Sequence, residues 1–175
     1  MTHKFIPQCL WLTGLSGAGK STIAQGLKQE LSTMGELAYV LDGDIVRKGL
    51  CKDLGFSQAD RVENIRRISE VANLMVDAGF VVITALISPY QKDRDLARLR
   101  FNRECFKEVF IDTPISICEA RDPKGLYAQA RSGVLHNLTG INAPYEIPSN
   151  PDLIIKTEEL SITESIEKII QVISS

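Results

Sequence analysis

The sequence has no apolar run approaching the roughly eighteen residues that a membrane-spanning helix needs, so no membrane partner is expected. It has no excess charge either: 20 Lys and Arg stand against 22 Asp and Glu, for a net charge of −2. Without a basic field, nucleic acid is not an expected partner, and any anion must be held by a local cluster of donors. The cysteines, Cys9, Cys51, Cys105 and Cys118, form no CxxC pair and no metal-like spacing. In a chain able to build its own core they read as reduced thiols of a cytoplasmic protein. Residues 1–8 carry no apolar run ending in a small-residue cleavage site, so no signal peptide is expected. Repeats and low-complexity tracts are absent. The two histidines, His3 and His136, have no partner pattern for acid–base or metal work.

What is present is an ordinary globular composition, 44% hydrophobic and 24% charged over 175 residues. That length suits one domain, residues 1–175. Short apolar runs alternate with longer amphipathic ones, the pattern of an α/β fold: a doubly wound parallel β-sheet with helices on both faces. Strands are expected at 9–13, 37–41, 80–85, 108–111 and 153–155. Helices are expected at 20–33, 58–77, 90–101 and 162–173. The second helix carries Ile65, Ile68, Val71, Ala72 and Met75 at helical spacing and ends at Gly79. Residues 121–148 are rich in Gly and Pro with weak periodicity, and read as a lid segment.

Gly14-Leu15-Ser16-Gly17-Ala18-Gly19-Lys20-Ser21 matches GxxxxGK followed by Ser or Thr, between an expected strand and an expected helix. Glycines let backbone N–H groups turn toward one point, and the helix adds the positive end of its dipole. Residues 14–22, ending at Thr22, are the expected ATP site. Lys20 serves the β- and γ-phosphates, and the Ser21 hydroxyl is the expected Mg²⁺ ligand. A guanine-reading NKxD is absent, and a single small domain with a lid fits a small-molecule P-loop kinase.

Ligands of open α/β sheets lie beyond the carboxyl ends of the strands, where Asp42 and Asp44 emerge. A carboxylate there accepts the proton of an attacking hydroxyl or orients the waters of Mg²⁺, although Asp-Gly is also ordinary turn chemistry. Arg47, one turn on, favours an anion-handling site. Arg61 and Asn64 are read as further anion binders. For Arg66 and Arg67, beside Glu63 and Glu70, a solvated charged face is an equal alternative. Phe56 reads as core or as a platform for a purine ring.

Several blocks together resemble adenylyl-sulfate kinases. They are Asp42-Gly43-Asp44 with Arg47, Asp53 to Ser57, Arg61 with Glu63 to Arg67, Ile87 to Tyr90 with Asp93-Arg94, Arg121-Asp122 with Lys124 to Tyr127, Thr139 to Ile141, and Pro144 to Glu146. The resemblance implies a P-loop kinase fold, ATP and Mg²⁺ as cofactors, and a homodimer. It also implies transfer of the ATP γ-phosphate to the 3′-hydroxyl of adenylyl sulfate in sulfate assimilation. On this reading Lys20, Asp42 and Ser88 are catalytic residues. Asp42, Asp44, Arg47, Arg61, Asn64, Ile87, Ser88 and Lys124 bind substrate, and Phe56 stacks on its adenine. Leu138 stands where the family has an aromatic residue, and would offer the adenine an apolar contact opposite Phe56. Family descriptions give the serine matching Ser88 a phosphoserine role. In-line transfer between two nucleotides needs no such intermediate, and Ser88 is read as a non-covalent wall. Cys51, Asn142 and Ala143 also depart from the family pattern, in the loop and lid.

Overall fold

A computed structural model describes residues 4–174; His3 lies outside them. Five parallel strands, β1 (Cys9–Thr13), β2 (Ala38–Asp42), β3 (Val81–Ala85), β4 (Phe106–Asp112) and β5 (Leu153–Lys156), form one sheet in the order β2-β3-β1-β4-β5. The chain leaves β1 toward the β2 edge and leaves β3 in the opposite direction. The order therefore reverses at the β3–β1 junction, where such sheets bind ligands.

Because strand side chains alternate, β1 feeds two cores. Leu10 and Leu12 face one side, against Ile23, Leu27 and Leu31 of α1 (Lys20–Thr33) and Ile169 and Ile173 of α7 (Ile162–Ser174). Cys9 and Trp11 face the other, against Ile65, Ile68, Ala72 and Val76 of α3 (Gln58–Asp77). Burying each such large side chain contributes about 1.5–3 kcal/mol. Gly26 is what brings α1 and α7 together: a Cβ there would lie 2.6 Å from Ile166 Cδ1.

Local signals explain the helix starts. Ser57 and Asp60 form a reciprocal capping box at α3, as Ser161 and Glu164 do before α7, each satisfying two otherwise orphaned groups. Gly79, with φ 95, follows the last residues of α3.

Several expectations need correcting. β2 runs one residue later than expected, so that Asp42 closes the strand and caps a short helix, α2 (Gly43–Val46), accepting from the Asp44 N–H at 2.9 Å. The third expected helix is shorter, α4 (Gln91–Arg98), and a 3-10 turn (Arg103–Cys105) leads into a longer β4. α5 (Ile115–Arg121) was not foreseen. The lid is less irregular than its composition suggests, since it contains α6 (Leu126–Arg131). The Asp122 carboxylate accepts from the N–H groups of Tyr127 (3.1 Å) and Ala128 (3.0 Å), occupying two of the donors a helix start leaves open. Tyr127, Ala130 and Leu138 are buried against the core.

Candidate active site

At the carboxyl ends of the strands lies a cleft of about 1060 Å³, above the range of a single small-ligand pocket. One end is lined by the loop between β1 and α1, together with Thr157, Leu160, Ser161 and Ile162. The other end is lined by Arg47, Phe56, Arg61, Asn64, Asn137 and Leu138. Asp42, Asp44, Ile87, Ser88 and Lys124 also line it, so the expected substrate-binding residues share one cavity.

The loop is built for anions. Gly14 passes so close to β4 that a Cβ would meet the Ile111 carbonyl oxygen at 2.6 Å. Gly19, at φ 105, opens α1, and the first turn of that helix holds no acidic residue and no side-chain cap. Its free N–H groups and dipole therefore face the cleft uncompensated. Ser16, Gly17, Ala18, Gly19, Lys20, Ser21 and Thr22 line the cavity, whereas Leu15 lines a second hollow behind it with Ile111 and Gly140.

Lys20 is buried, and its ammonium donates to the carbonyls of Gly14 (2.8 Å) and Leu15 (2.7 Å). Burial pulls its pKa down to about 8, because desolvation penalises the charged form. A phosphate arriving here would exchange those carbonyls for anionic oxygens. The Ser21 hydroxyl donates to Asp42 Oδ2 at 2.6 Å. On the far wall Lys124 is ion-paired with Asp44, a lid residue bridged to the β2 end.

At the other end Arg47 lies over the Phe56 ring, 4.4 Å from its centre, and Arg61 lies at 5.8 Å. The ring remains 57% exposed. Arg61 is buried. It donates to the Phe56 carbonyl (3.2 Å) and to the Asn137 carbonyl (2.6 Å), which fixes the lid above it. Burial lowers the pKa of both guanidiniums, Arg47 and Arg61, but arginine stays charged. Asn64 Oδ1 is buried without a hydrogen-bond partner among the described residues, which suits a site completed by a ligand donor. Leu138 reaches the cleft but is only 4% exposed, packed in the apolar cluster that includes Tyr127.

Arg66 and Arg67 are not part of this cavity. Arg66 pairs with Glu63 (2.7 Å). Arg67 forks onto Asp53 and also binds Glu63 and the Leu50 carbonyl, stapling the 50–55 loop to α3.

The sequence reading gave no role to Arg121, whose guanidinium donates to the Gly17 (3.2 Å) and Ala18 (3.4 Å) carbonyls and lines the cleft. It also missed the support beneath Ser88. Thr13 Oγ1 bonds the Ile87 carbonyl and Tyr145, and Arg94 gathers Glu108, Gln91 and the Ser88 and Glu146 carbonyls. In the sequence Arg94 stands out only within the Asp93-Arg94 block of the family resemblance, and the largely polar α4 around it gives no local signal for this role.

Among the described residues no cluster of three or more His, Cys, Asp or Glu could hold a metal by itself, and no helix is long and apolar enough to cross a membrane. Mg²⁺ needs no such cage, since it keeps waters and binds through one or two protein groups plus substrate phosphates. The Ser21 hydroxyl beside the Asp42 carboxylate is a donor set that fits it.

Comparison with known proteins follows the same lines. Residues 6–156 match the family model described as adenylylsulphate kinase. An adenylyl-sulfate kinase of Escherichia coli is 55% identical over 164 residues, 94% of this chain and 81% of that protein. The Mycobacterium tuberculosis APS kinase, solved in complex with AMPPNP and APS, superposes with a TM-score of 0.92 at 48% identity, covering 96% of this chain and 98% of that one. A hexameric APS kinase from Thiobacillus denitrificans aligns over 97% of this chain and 29% of its own, with a TM-score of 0.72 and 32% identity.

Proposed function

The chain belongs to the adenylylsulphate kinase family, and from that premise we propose how its cleft carries out the reaction. The activity is ATP-dependent phosphorylation of adenylyl sulfate, giving 3′-phosphoadenylyl sulfate and ADP. One observation carries the assignment of roles: Asp42 hydrogen-bonds Ser21 of the phosphate loop and lines the same cavity as Arg47 and Arg61.

ATP would lie along residues 14–22, its phosphates on the loop N–H groups and the dipole of α1. Lys20 would leave the Gly14 and Leu15 carbonyls for the β- and γ-phosphates. Arg121, which bonds the loop carbonyls, would hold the loop in that shape. Adenylyl sulfate would occupy the opposite end, its anionic groups met by Arg47, Arg61 and Lys124, with Asn64 Oδ1 accepting from the nucleotide. Phe56, backed by the Arg47 guanidinium, offers a ring face for the adenine. Ile87 and Ser88 would wall the middle.

Asp42 would accept the proton of the ribose 3′-hydroxyl as its oxygen attacks the γ-phosphorus in line. The new O–P bond forms as the bond to the β-phosphate oxygen breaks, and ADP departs. Ser21 and Asp42 are the residues that would hold Mg²⁺, which when bound neutralises charge on the β- and γ-phosphates. We place the enzyme in the cytoplasm, as its unpaired cysteines suggest, and propose a homodimer.

The test is ADP release across adenylyl sulfate, AMP, gluconate and shikimate. Turnover is expected with adenylyl sulfate at micromolar concentration. A preference for AMP would overturn the sulfate-reading role of the arginines.

A further inference from the structure

Ser88 is held in an unusual state. Its φ is 40, one of two positive values among the described non-glycine residues, and it is buried. A side chain in the left-handed region is unfavourable and persists only where its surroundings impose it. Here they do. The Ser88 carbonyl accepts from Arg94 Nη1 at 2.8 Å and from Thr13 Oγ1 at 3.4 Å. Arg94 is itself locked by Glu108 at 2.7 Å. The Ser88 hydroxyl oxygen accepts from Trp11 Nε1 at 3.1 Å. Trp11 is fully buried and its ring stacks on Phe106, so the indole cannot turn away.

An indole N–H only donates, and a hydroxyl has one proton and two acceptor positions. With one position filled by Trp11, the Ser88 proton must point elsewhere. Among the described residues no protein acceptor takes it, and the open side of Ser88 is the cleft. The place matters. β3 lies between β2 and β1, with Ala85 in register with both Asp42 and Leu12. The segment leaving β3 therefore enters the cleft between the Asp42 carboxylate and the phosphate loop. A nucleophilic serine would need a base to take its proton. Of the buried carboxylates, Asp42 already accepts from Ser21 at 2.6 Å and Glu108 from Arg94 at 2.7 Å.

We infer that Trp11 is a positioning residue for phosphoryl transfer: its indole N–H fixes the Ser88 hydroxyl so that the Ser88 O–H is presented to the cleft as a hydrogen-bond donor to an oxygen of the phosphoryl group in transit. No covalent bond to Ser88 is made or broken. Such a donor gains strength as charge shifts during transfer, so its loss falls on kcat rather than KM. The inference rests on the adenylyl-sulfate kinase reaction proposed above.

The experiment is a double-mutant cycle on the full chain with Trp11→Phe, Ser88→Ala and both together. Freed of the indole, the Ser88 hydroxyl samples other rotamers, and Trp11→Phe should lower kcat roughly three- to tenfold with KM for both nucleotides within about twofold. In the Ser88→Ala background, Trp11→Phe should cause no further loss of kcat. A packing role would instead give the same loss in both backgrounds, and that result, or an unchanged kcat in Trp11→Phe alone, overturns the inference. Trp11 is the sole tryptophan, so emission reads the same bond without altering the indole. Binding of both nucleotides should shift emission in the wild type and leave it unmoved in Ser88→Ala. An equal shift in both would overturn the proposal even if Trp11→Phe failed to fold. Wild-type turnover is the control that separates the two readings. Its absence would remove the proposed function, whereas an active wild type with an additive cycle removes only the role of Trp11.

Discussion

Ser21 of the phosphate loop and Asp42 at the end of β2 are joined by a 2.6 Å hydrogen bond, 21 residues apart in sequence. One carboxylate thus joins the phosphate loop to the turn after β2: its Oδ2 accepts from Ser21 and its Oδ1 caps α2. Asp42→Asn keeps the size and the capping oxygen but removes the base. Turnover should fall about 10²–10⁴-fold, the usual contribution of a positioned base, while ATP binding measured by calorimetry without Mg²⁺ stays close to wild type. Turnover near the wild-type level would show that another group takes the proton.

Lys20 gives a pH prediction. Burial lowers its pKa from the ordinary 10.5 to about 8. Between those values the folded, ligand-free protein binds fewer protons than the unfolded chain. The Lys20 contribution to stability therefore rises with pH over that window. ATP needs the charged form, so its affinity should weaken as pH rises above about 8, with proton uptake on binding. Calorimetry at pH 8.5 in buffers of different ionisation enthalpy measures that uptake; none would mean that Lys20 is already charged.

Replacing the same lysine tests its catalytic use. Loss of one preorganised charge at a transition state costs on the order of 10²–10³ in rate, and Lys20→Ala should fall at least that far in a coupled ADP-release assay. Near-normal turnover would remove Lys20 from the site.

Phe56 and Leu138 now separate. The Phe56 ring is half exposed beneath Arg47, so Phe56→Ala should raise KM for adenylyl sulfate by the roughly 1–3 kcal/mol typical of base stacking, with kcat little changed. At Leu138, the sequence reading leads one to expect Leu138→Phe to tighten adenylyl sulfate binding by the about 0.5–1.5 kcal/mol of an aromatic pair. Leu138 is 4% exposed in a packed cluster, and the larger ring should instead cost about 1–3 kcal/mol of stability by overpacking. A lower melting temperature without tighter binding is the expected outcome. A tighter complex at unchanged melting temperature would place position 138 against the adenine.

Arg94 and Glu108 form a buried ion pair at 2.7 Å, their side chains 0% and 4% exposed. Glu108→Gln leaves the arginine charge uncompensated and should cost about 3–5 kcal/mol of stability in denaturant unfolding. Arg94→Met with Glu108→Leu should recover much of that stability but not the activity, because the Ser88 and Glu146 carbonyls lose the donor they share. Full activity in the double variant would show that Ser88 does not depend on that anchor.

Much of this was legible in order along the chain. The helices 20–33 and 58–77 begin and end from local causes, a glycine loop, a capping box and a glycine stop, which act within a few residues. The phosphate loop is equally local, because its backbone donors are set by glycine spacing. β2 was read one residue early because the Asp-Gly-Asp run looked like a turn, whereas the Asp42 carboxylate caps a helical turn there. Composition hid α6 because its N-cap position is Gly125, which has no side chain, and the capping carboxylate comes from Asp122 three residues earlier.

By itself the sequence determined the P-loop fold, the two-sided sheet and the residue types of the cleft, since periodicity, capping and motif spacing are properties of neighbours in the chain. Only the tertiary structure decided which groups meet. Ser88 is placed by Trp11 and by Arg94, 77 residues before it and 6 after, Asp42 by Ser21, and Arg61 beneath the Asn137 carbonyl 76 residues on. Hydrogen bonds act over about 3 Å, and only the assembled sheet, with α3 and residues 121–148 meeting at its carboxyl ends, brings those atoms within that distance.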